Sequence, residues 1–550
     1  VISELFAIRM SAFTTTVALM AGAAAQATVT AGSQDMQMTI QAGDLSSFES
    51  TDYGVWADGM LIVALVAGYF FVQTRRSKAA ISAKVMQKAA LIEHDSDETP
   101  ALPRLRKASS PREQSPTQTT PTKRPRPTAA TDTCRKLNQA ICASESAEQV
   151  LALVASSGHQ MNAVNLSTAM HRVARWTKKS QLDVDEVRSS APWKKLVRLS
   201  HQRVADVTVQ GISNMLWAAG VLRVDVEQDA QFMAALAETA SKHATEHTPQ
   251  ALANIVWTCA VLQWRNVELL TQMRSAAVAS IKEFNPQDLS NIAWALGTVR
   301  FLDSAFLQAM TKVAIPMLGA CKPAELSNIV WACASAGYLN RELMERASDV
   351  VCAGPEAFTS QSVSNVAWSF ATLGFNDERL MSSITRVAVA KMRWFSPSEL
   401  SNLLWACATL NVGGPRVLDA ACTTIIRSHD RFSGDDLSNT VWALATLKFG
   451  SSVACDHLVR ACAARRSEMS AKAMTNVLWG FATLGYKGAC SLFVNWAGVI
   501  VERNAEFTPT ELVTVAWGYA NSGVRVPELL ACIAKEVQGK LNQDEEQALK

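Results

Sequence analysis

One motif recurs at a nearly constant interval through about the last two thirds of the chain. It reads Leu-Ser-Asn, two apolar residues, Trp and Ala at Leu326 (LSNIVWACASAG), with near copies at Leu289, Val363, Leu400 and Leu437. The spacing between successive motif tryptophans is 40 residues, then 37 six times, then 38. These tryptophans are Trp217, Trp257, Trp294, Trp331, Trp368, Trp405, Trp442, Trp479 and Trp517. A fixed period of this length is the signature of stacked structural repeats.

Helix-capping residues recur within each period. Ser396–Glu399 and Thr508–Glu511 each place a hydroxyl at the N-cap, Pro at the first helical position and Glu at the third, a capping box with the favoured proline. Gly374, Gly485 and Gly523 stand where the same helix should end. A second helical stretch follows in each period. The sequence therefore predicts an all-α fold, an α-solenoid of about nine 37-residue helix-turn-helix repeats plus a degenerate N-terminal repeat.

The first part of the chain differs in composition. Residues 1–90 are predicted to be a targeting or membrane-anchor region, because Met10–Val29 resembles a signal peptide. Met60–Val72 is apolar and is followed by Arg75. A transmembrane helix at about 57–73 is one interpretation. A targeting segment or an incorrectly assigned start of the chain are the alternatives.

Three further regions follow. Residues 91–133 are rich in Pro, Ser and Thr and poor in apolar residues, which predicts a disordered linker. Residues 134–209 are predicted to form degenerate capping helices, in which His171 takes the place of the motif Trp. Residues 210–550 are predicted to hold the helical repeat array.

A helical projection of the motif separates a buried face from a polar one. With the motif Leu as position 0 and an advance of about 100° per residue, positions 0, 3, 4, 7 and 8 form one apolar stripe. Trp, at position 5, falls on the flank of this stripe. The nine motif tryptophans are therefore predicted to be structural core residues that pack against the neighbouring repeat. Exposure for stacking on nucleic-acid bases is the alternative.

Polar residues recur at three other positions of the same helix. Position 2 is Asn in eight of nine copies, position 9 is mostly Thr, and position −2 is polar but variable. Since Asn and Thr are mediocre helix formers, we expect either a ladder of side-chain amides between repeats or a polar binding surface. The candidate RNA-binding residues are Gln210, Gln250, Gln287, Gln361, Ser398, Asp435 and Lys472 at position −2, Asn291, Asn328, Asn365, Asn402, Asn439 and Asn476 at position 2, and Thr372, Thr409 and Thr446 at position 9.

Charge and cysteine usage narrow the classes of function. Residues 201–550 carry 29 Lys and Arg against 32 Asp and Glu. This near-neutral array lacks the basic footprint of most nucleic-acid-binding proteins and fits a protein-binding scaffold equally well.

Cys259, Cys333 and Cys407 share position 7 of the motif, where other copies have Leu, Phe or Ala. They are predicted to be small apolar side chains in a reducing compartment.

The sequence offers no catalytic signature. His243, Glu246 and His247 match the HxxEH pattern of zinc peptidases. Because Thr248-Pro249 follows at once, this stretch is predicted to be a turn between repeats. No P-loop, GxGxxG, GxSxG or CxxC pattern occurs. We therefore expect neither enzymatic activity nor a cofactor, metal or small-molecule ligand.

From Gln210 to Leu541 the array resembles the heptatricopeptide or octotricopeptide (OPR-like) repeats of organellar RNA-binding proteins, which are related to RAP-domain and FAST-kinase-like leucine-rich proteins. The resemblance implies single-stranded RNA as partner, a location in a plastid or mitochondrion, and work in RNA processing, stability or translation. Family members often end in a nuclease-like RAP domain, and the residues after the ninth repeat (LNQDEEQALK) do not resemble one. The alternative is a protein-protein interaction scaffold of the HEAT or armadillo type, tethered to a membrane if residues 57–73 span one.

Overall fold

The computed structural model describes residues 129–548 and the side chains of residues 132–540. Within this part of the chain, all regular elements are α-helices or short 3₁₀ turns, and no strand occurs. The predicted all-α solenoid is confirmed. The targeting region, the span at about 57–73 and most of the 91–133 linker lie outside the described residues. No helix among residues 129–548 is long and apolar enough to cross a bilayer.

Five helices precede the first full repeat. They are α1 (Ala129–Ala143), α2 (Ala147–Ser157), α3 (Ala163–Ser180), α4 (Val184–Ser189) and α5 (Ala191–Gln202). Helix α3 carries the degenerate motif and packs along the first helix of repeat 1, as the motif helices of later repeats pack on one another.

Nine helix pairs follow within residues 209–548. The first helix of each pair is called helix A and the second helix B. The A helices are α6 (Val209–Val221), α8 (Pro249–Val261), α10 (Pro286–Thr298), α12 (Pro323–Ser335), α14 (Ser360–Thr372), α16 (Pro397–Thr409), α18 (Gly434–Thr446), α20 (Ala471–Leu484) and α22 (Pro509–Ser522). The B helices are α7 (Ala230–Lys242), α9 (Val267–Ala279), α11 (Ser304–Met317), α13 (Arg341–Ala353), α15 (Glu378–Lys391), α17 (Pro415–Ser428), α19 (Ser452–Ala464), α21 (Cys490–Glu502) and α23 (Pro527–Ala548). The compact unit that holds the repeats ends at Leu529, and helix α23 extends past this residue.

The core lies between the two layers of helices, as the motif predicts. Positions 0, 3, 4, 7 and 8 of α12 are Leu326, Ile329, Val330, Cys333 and Ala334, and each is at most 2% exposed. Consecutive A helices contact each other far more extensively than consecutive B helices do. The A helices of neighbouring repeats therefore pack more closely together than the B helices do.

The predicted caps are present at the ends of the A helices. The Glu399 N–H donates to Ser396 Oγ at 3.3 Å, and the Ser396 N–H donates to Glu399 Oε2 at 2.9 Å. Gly374, Gly485 and Gly523 have φ values of 63°, 62° and 79°. This is the left-handed region that favours glycine. Local sequence chemistry thus fixes where each A helix begins and ends.

Candidate nucleic-acid interface

Four positions of each helix A share one side of the A layer. Position −2 is exposed in all nine repeats, and positions 2 and 5 are half-buried in all nine. Position 9 is half-buried or exposed. We call the surface formed by positions −2, 2, 5 and 9 of the A helices the A face. It brings the candidate residues of successive repeats into four parallel rows.

Motif tryptophans of repeats 4 to 6, and of repeats 7 and 8, place their rings next to one another along the A face. The ring centroids of Trp331 and Trp368 are 6.4 Å apart, and those of Trp368 and Trp405 are 6.5 Å apart. Trp331 Cζ3 packs against Gly297 of the preceding helix A, at a site where a β-carbon would lie only 2.9 Å away. Each indole thus packs between neighbouring A helices while part of it stays at the surface.

The row of rings begins before the first full repeat. The His171 ring centroid lies 5.1 Å from that of Trp217, so the imidazole occupies the place of a motif Trp. Burial, and then the nearby charges of Arg175 and Arg172, lower the pKa of His171. His171 is therefore neutral at physiological pH and packs as a small aromatic ring.

The asparagines at position 2 do not form a ladder between the described repeats. Asn476 Nδ2 donates to Ser438 Oγ of the preceding repeat at 3.4 Å, and Asn214 Oδ1 accepts from Gln210 at 3.1 Å. In the other described repeats that carry Asn, the side-chain amides have no hydrogen-bond partner within the chain. These are Asn254, Asn291, Asn328, Asn365, Asn402 and Asn439. Of the two interpretations of this row, the polar surface is the one that the geometry favours.

The row at position −2 differs in chemistry from repeat to repeat. Gln250, Gln287 and Gln361 are exposed amides, while Asp435 and Lys472 bring opposite charges to repeats 7 and 8. Ser398 Oγ donates to Asp436 Oδ2 of the next repeat at 3.2 Å. This row therefore gives each repeat its own polar side chain at the start of helix A.

The hydroxyl groups at position 9 reach the surface in some repeats and are buried in others. The hydroxyl oxygens of Thr409 and Thr446 are buried and have no partner. Thr298 Oγ1 donates back to the Trp294 carbonyl at 2.9 Å, a bond within the helix that threonine commonly makes. Among the three candidates at this position, Thr372 is exposed, whereas Thr409 and Thr446 are half-buried with buried hydroxyl oxygens.

Basic side chains of the B layer are used to join repeats. Lys391 Nζ donates to the Glu356 and Phe358 carbonyls at 2.6 Å each, and Arg503 donates to the Met469 carbonyl at 3.1 Å. Arg386 pairs with Glu356 at 2.6 Å. Each bond reaches the turn of the preceding repeat. These cations are therefore engaged in holding the solenoid together.

The described residues contain no group of three or more His, Cys, Asp and Glu side chains that could hold a metal ion. In the HxxEH stretch, exposed His243 pairs with Glu246 at 2.8 Å, whereas His247 is buried. The stretch forms the 3₁₀ turn Ala244–Glu246, as the following proline predicts.

Burial raises the pKa of the Cys259 thiol to about 12, which agrees with its prediction as an apolar side chain.

One exposed aromatic residue lies outside the motif. Trp394 is 67% exposed in the turn Met392–Trp394 between repeats 5 and 6. Trp394 is not part of the repeated motif, because it follows helix B and the motif lies on helix A. Its signal in the sequence is a Trp at a turn position that holds Glu, Ala or Arg in the other repeats.

Comparison with known proteins gives one family. The family model described as RNA-editing substrate-binding complex 6 protein matches residues 193–339 and 318–545. No curated protein matches the chain. Among solved structures, a homology model of the full-length AP-3 complex in an intermediate open conformation has 9% identity and a TM-score of 0.24, covering 74% of this chain and 93% of that one. That likeness is too distant to bear on function. The family match spans more than half of the chain and coincides with the repeats, so the chain belongs to the RNA-editing substrate-binding complex 6 protein family, an RNA-associated family of helical repeats.

Proposed function

We propose that this chain is an organellar single-stranded RNA-binding protein that acts in RNA processing, stability or translation as a binding component and not as an enzyme. The carrying observation is that unpaired Asn amides lie beside half-exposed Trp rings in successive repeats of the A face. An amide offers two donors and one acceptor oxygen. An aromatic ring offers a face or edge to a base. Proteins recognise unpaired RNA bases with this combination.

Two resemblances support this proposal. The family's description names a complex that binds substrates of RNA editing, which favours an RNA ligand and assembly with other proteins. The OPR-like motif favours an organelle, in either a plastid or a mitochondrion. Fusing residues 1–90 to a fluorescent reporter tests the location. Reporter fluorescence outside both organelles would contradict that part of the proposal.

The near-neutral array sets an expectation for how RNA is held. With 29 basic and 32 acidic residues in residues 201–550, the repeats carry no net positive charge to attract phosphates. Binding through bases and rings releases few counterions. We therefore expect RNA affinity to fall only weakly as salt concentration rises.

The test begins with selection from a random RNA pool by the full chain at low salt. The double variant of the protein, Asn365→Ala with Asn402→Ala, should bind the selected RNA more weakly, by about 1–3 kcal/mol per lost base contact. The salt dependence should stay unchanged, because no charge is removed. Stability should hardly change, since neither amide has a partner within the chain.

The matched control is Asn495→Ala, an exposed asparagine of α21 in the B layer. It should bind the selected RNA as the unchanged chain does. Equal weakening by Asn495→Ala would contradict a role for the A face. Failure of the pool to enrich any RNA would instead favour the protein-binding scaffold.

A further inference from the structure

The turn between repeats 5 and 6 exposes an aromatic ring that the fold does not bury. Trp394 is 67% exposed, more than any other large apolar side chain in the described part of the chain. Exposed tryptophan is unusual, because its ring gains much from burial. Such a ring offers an apolar face and a polar N–H that a ligand can contact.

The architecture of the turn does not require this residue. The corresponding last residue of the other turns after helix B is small or charged: Glu246, Glu283, Ala320, Ala357, Arg431, Glu468 and Glu506. All of these turns have the same 3₁₀ form. Trp394 is thus an addition to a turn that forms equally well without it.

The backbone beneath the ring is anchored on both sides. Ser360 Oγ, in the first turn of α14, donates to the Trp394 carbonyl at 3.4 Å. Arg427 donates to the Arg393 carbonyl at 3.3 Å. These bonds hold the turn beside the start of helix A of repeat 5, and chain connectivity places it beside the start of helix A of repeat 6. The backbone of Trp394 therefore lies at the edge of the A face, beside the first turns of the helices that carry the exposed position −2 residues Gln361 and Ser398.

One cation lies beside the ring. The Arg393 guanidinium lies 4.7 Å from the centroid of the Trp394 ring, and no carboxylate pairs with Arg393 among the described residues. The neighbouring turns each carry an acidic residue at the position of Arg393: Glu356, which pairs with Arg386 at 2.6 Å, and Asp430, which is followed by Arg431. The last residue of the turn, which corresponds to Trp394, is Glu in the turns near both ends of the array. Among the turns that follow the B helices in the described residues, only this one places a cation next to an exposed tryptophan ring.

We propose that Trp394 and Arg393 form a stacking platform for an unpaired RNA base, so that an RNA strand enters or leaves the A face between repeats 5 and 6. This inference rests on the proposed function and adds a contact site that the repeat motif does not contain. The indole supplies a face for one base, and Arg393 supplies charge for the adjoining phosphate. This pairing of ring and cation is typical of single-strand binding surfaces.

The test uses the full chain and fluorescent single-stranded oligo(A) and oligo(U) long enough to cover the array. Trp394→Ala should weaken binding of the better probe by about tenfold or more, the loss typical of one stacked base. Trp394→Phe should retain most of the affinity, because a phenyl ring also stacks. The control Val494→Ala, a 59% exposed side chain of helix α21, should leave the affinity unchanged. Thermal melting should hardly differ between Trp394→Ala and the unchanged chain.

A spectroscopic readout separates stacking from an indirect effect. Adding RNA to the unchanged chain should quench indole fluorescence more than adding it to Trp394→Phe. Unchanged RNA affinity of Trp394→Ala, together with impaired binding by the Asn365 and Asn402 double variant, would overturn the platform and leave the proposed function standing. No binding of either oligonucleotide or of the selected RNA by the unchanged chain would overturn both.

Discussion

A buried histidine takes the place of phenylalanine at the boundary between repeats 1 and 2. His247 is the residue before the N-cap Thr248 of α8. The equivalent residues include Phe284, Phe358 and Phe395, which are buried beside the start of the next helix A, where a hydrophobic staple is expected. His247 is 6% exposed, and both ring nitrogens lack a hydrogen-bond partner. An imidazole without partners costs stability in such a site.

Replacing His247 with Phe should therefore stabilise the chain, by about 1 kcal/mol at neutral pH. Burial, the largest cause, lowers the pKa of His247, although the nearby Ala240 backbone acts in the opposite direction. The unfolded chain thus binds the proton more readily, and the unchanged protein loses stability as pH falls below about 6.5. The advantage of His247→Phe should grow between pH 7.5 and pH 5 in denaturant melts. An advantage that is the same at both pH values would contradict this account.

Residues differ in how far the sequence reveals their role. Ser396, Glu399 and Gly374 were predictable because caps depend on neighbours a few residues away. The half-exposure of the Trp368 ring and the unpaired amide of Asn365 could not be predicted from the sequence. They depend on the spacing between neighbouring A helices, which a projection of one helix does not contain. Sequence alone therefore located the candidate rows but left open how much of each reaches the surface.

At the scale of elements, the closeness of the A helices rests on small side chains. A methyl group on Gly480 of α20 would lie 2.6 Å from Val441 Cγ1 and 3.1 Å from the Val441 carbonyl oxygen of α18. The obstacle includes backbone, which cannot rotate away. The absence of a β-carbon at Gly480 therefore sets how near these two helices come.

Gly480→Ala should destabilise the chain by about 1–3 kcal/mol, because overpacking outweighs the gain in helix propensity. Gly498→Ala is the matched control, since Gly498 of α21 is exposed and a methyl group there would meet nothing within 4 Å. That control should stabilise by up to about 1 kcal/mol. Chemical denaturation measures both. Equal effects of the two substitutions would show that helix contact is not the cause.

For the molecule as a whole, stability is spread over interfaces between neighbouring repeats. Trp368 contacts the rings of both Trp331 and Trp405. In a solenoid, each repeat touches only the next, so energetic changes are local. The row of rings therefore links repeats 4, 5 and 6 in sequence and does not bind distant repeats directly.

Trp368→Ala should cost about 2–3 kcal/mol, below the range for a fully buried Trp because the ring is half-buried. Hydrogen exchange should speed up most in α12, α14 and α16, which hold the three rings. Amides of α8 and α20 should change little. A uniform increase in exchange along the array would mean that the solenoid unfolds as one cooperative unit.

The shared 3₁₀ turns and capped A helices have a consequence for the length of the protein. Because each boundary uses the same geometry, removing or duplicating one 37-residue segment from turn to turn would leave the flanking helices in register. An insertion of another length would displace the next indole from its neighbour. The reach of the A face can therefore grow or shrink in whole repeats, with the helix pair as its unit of measure.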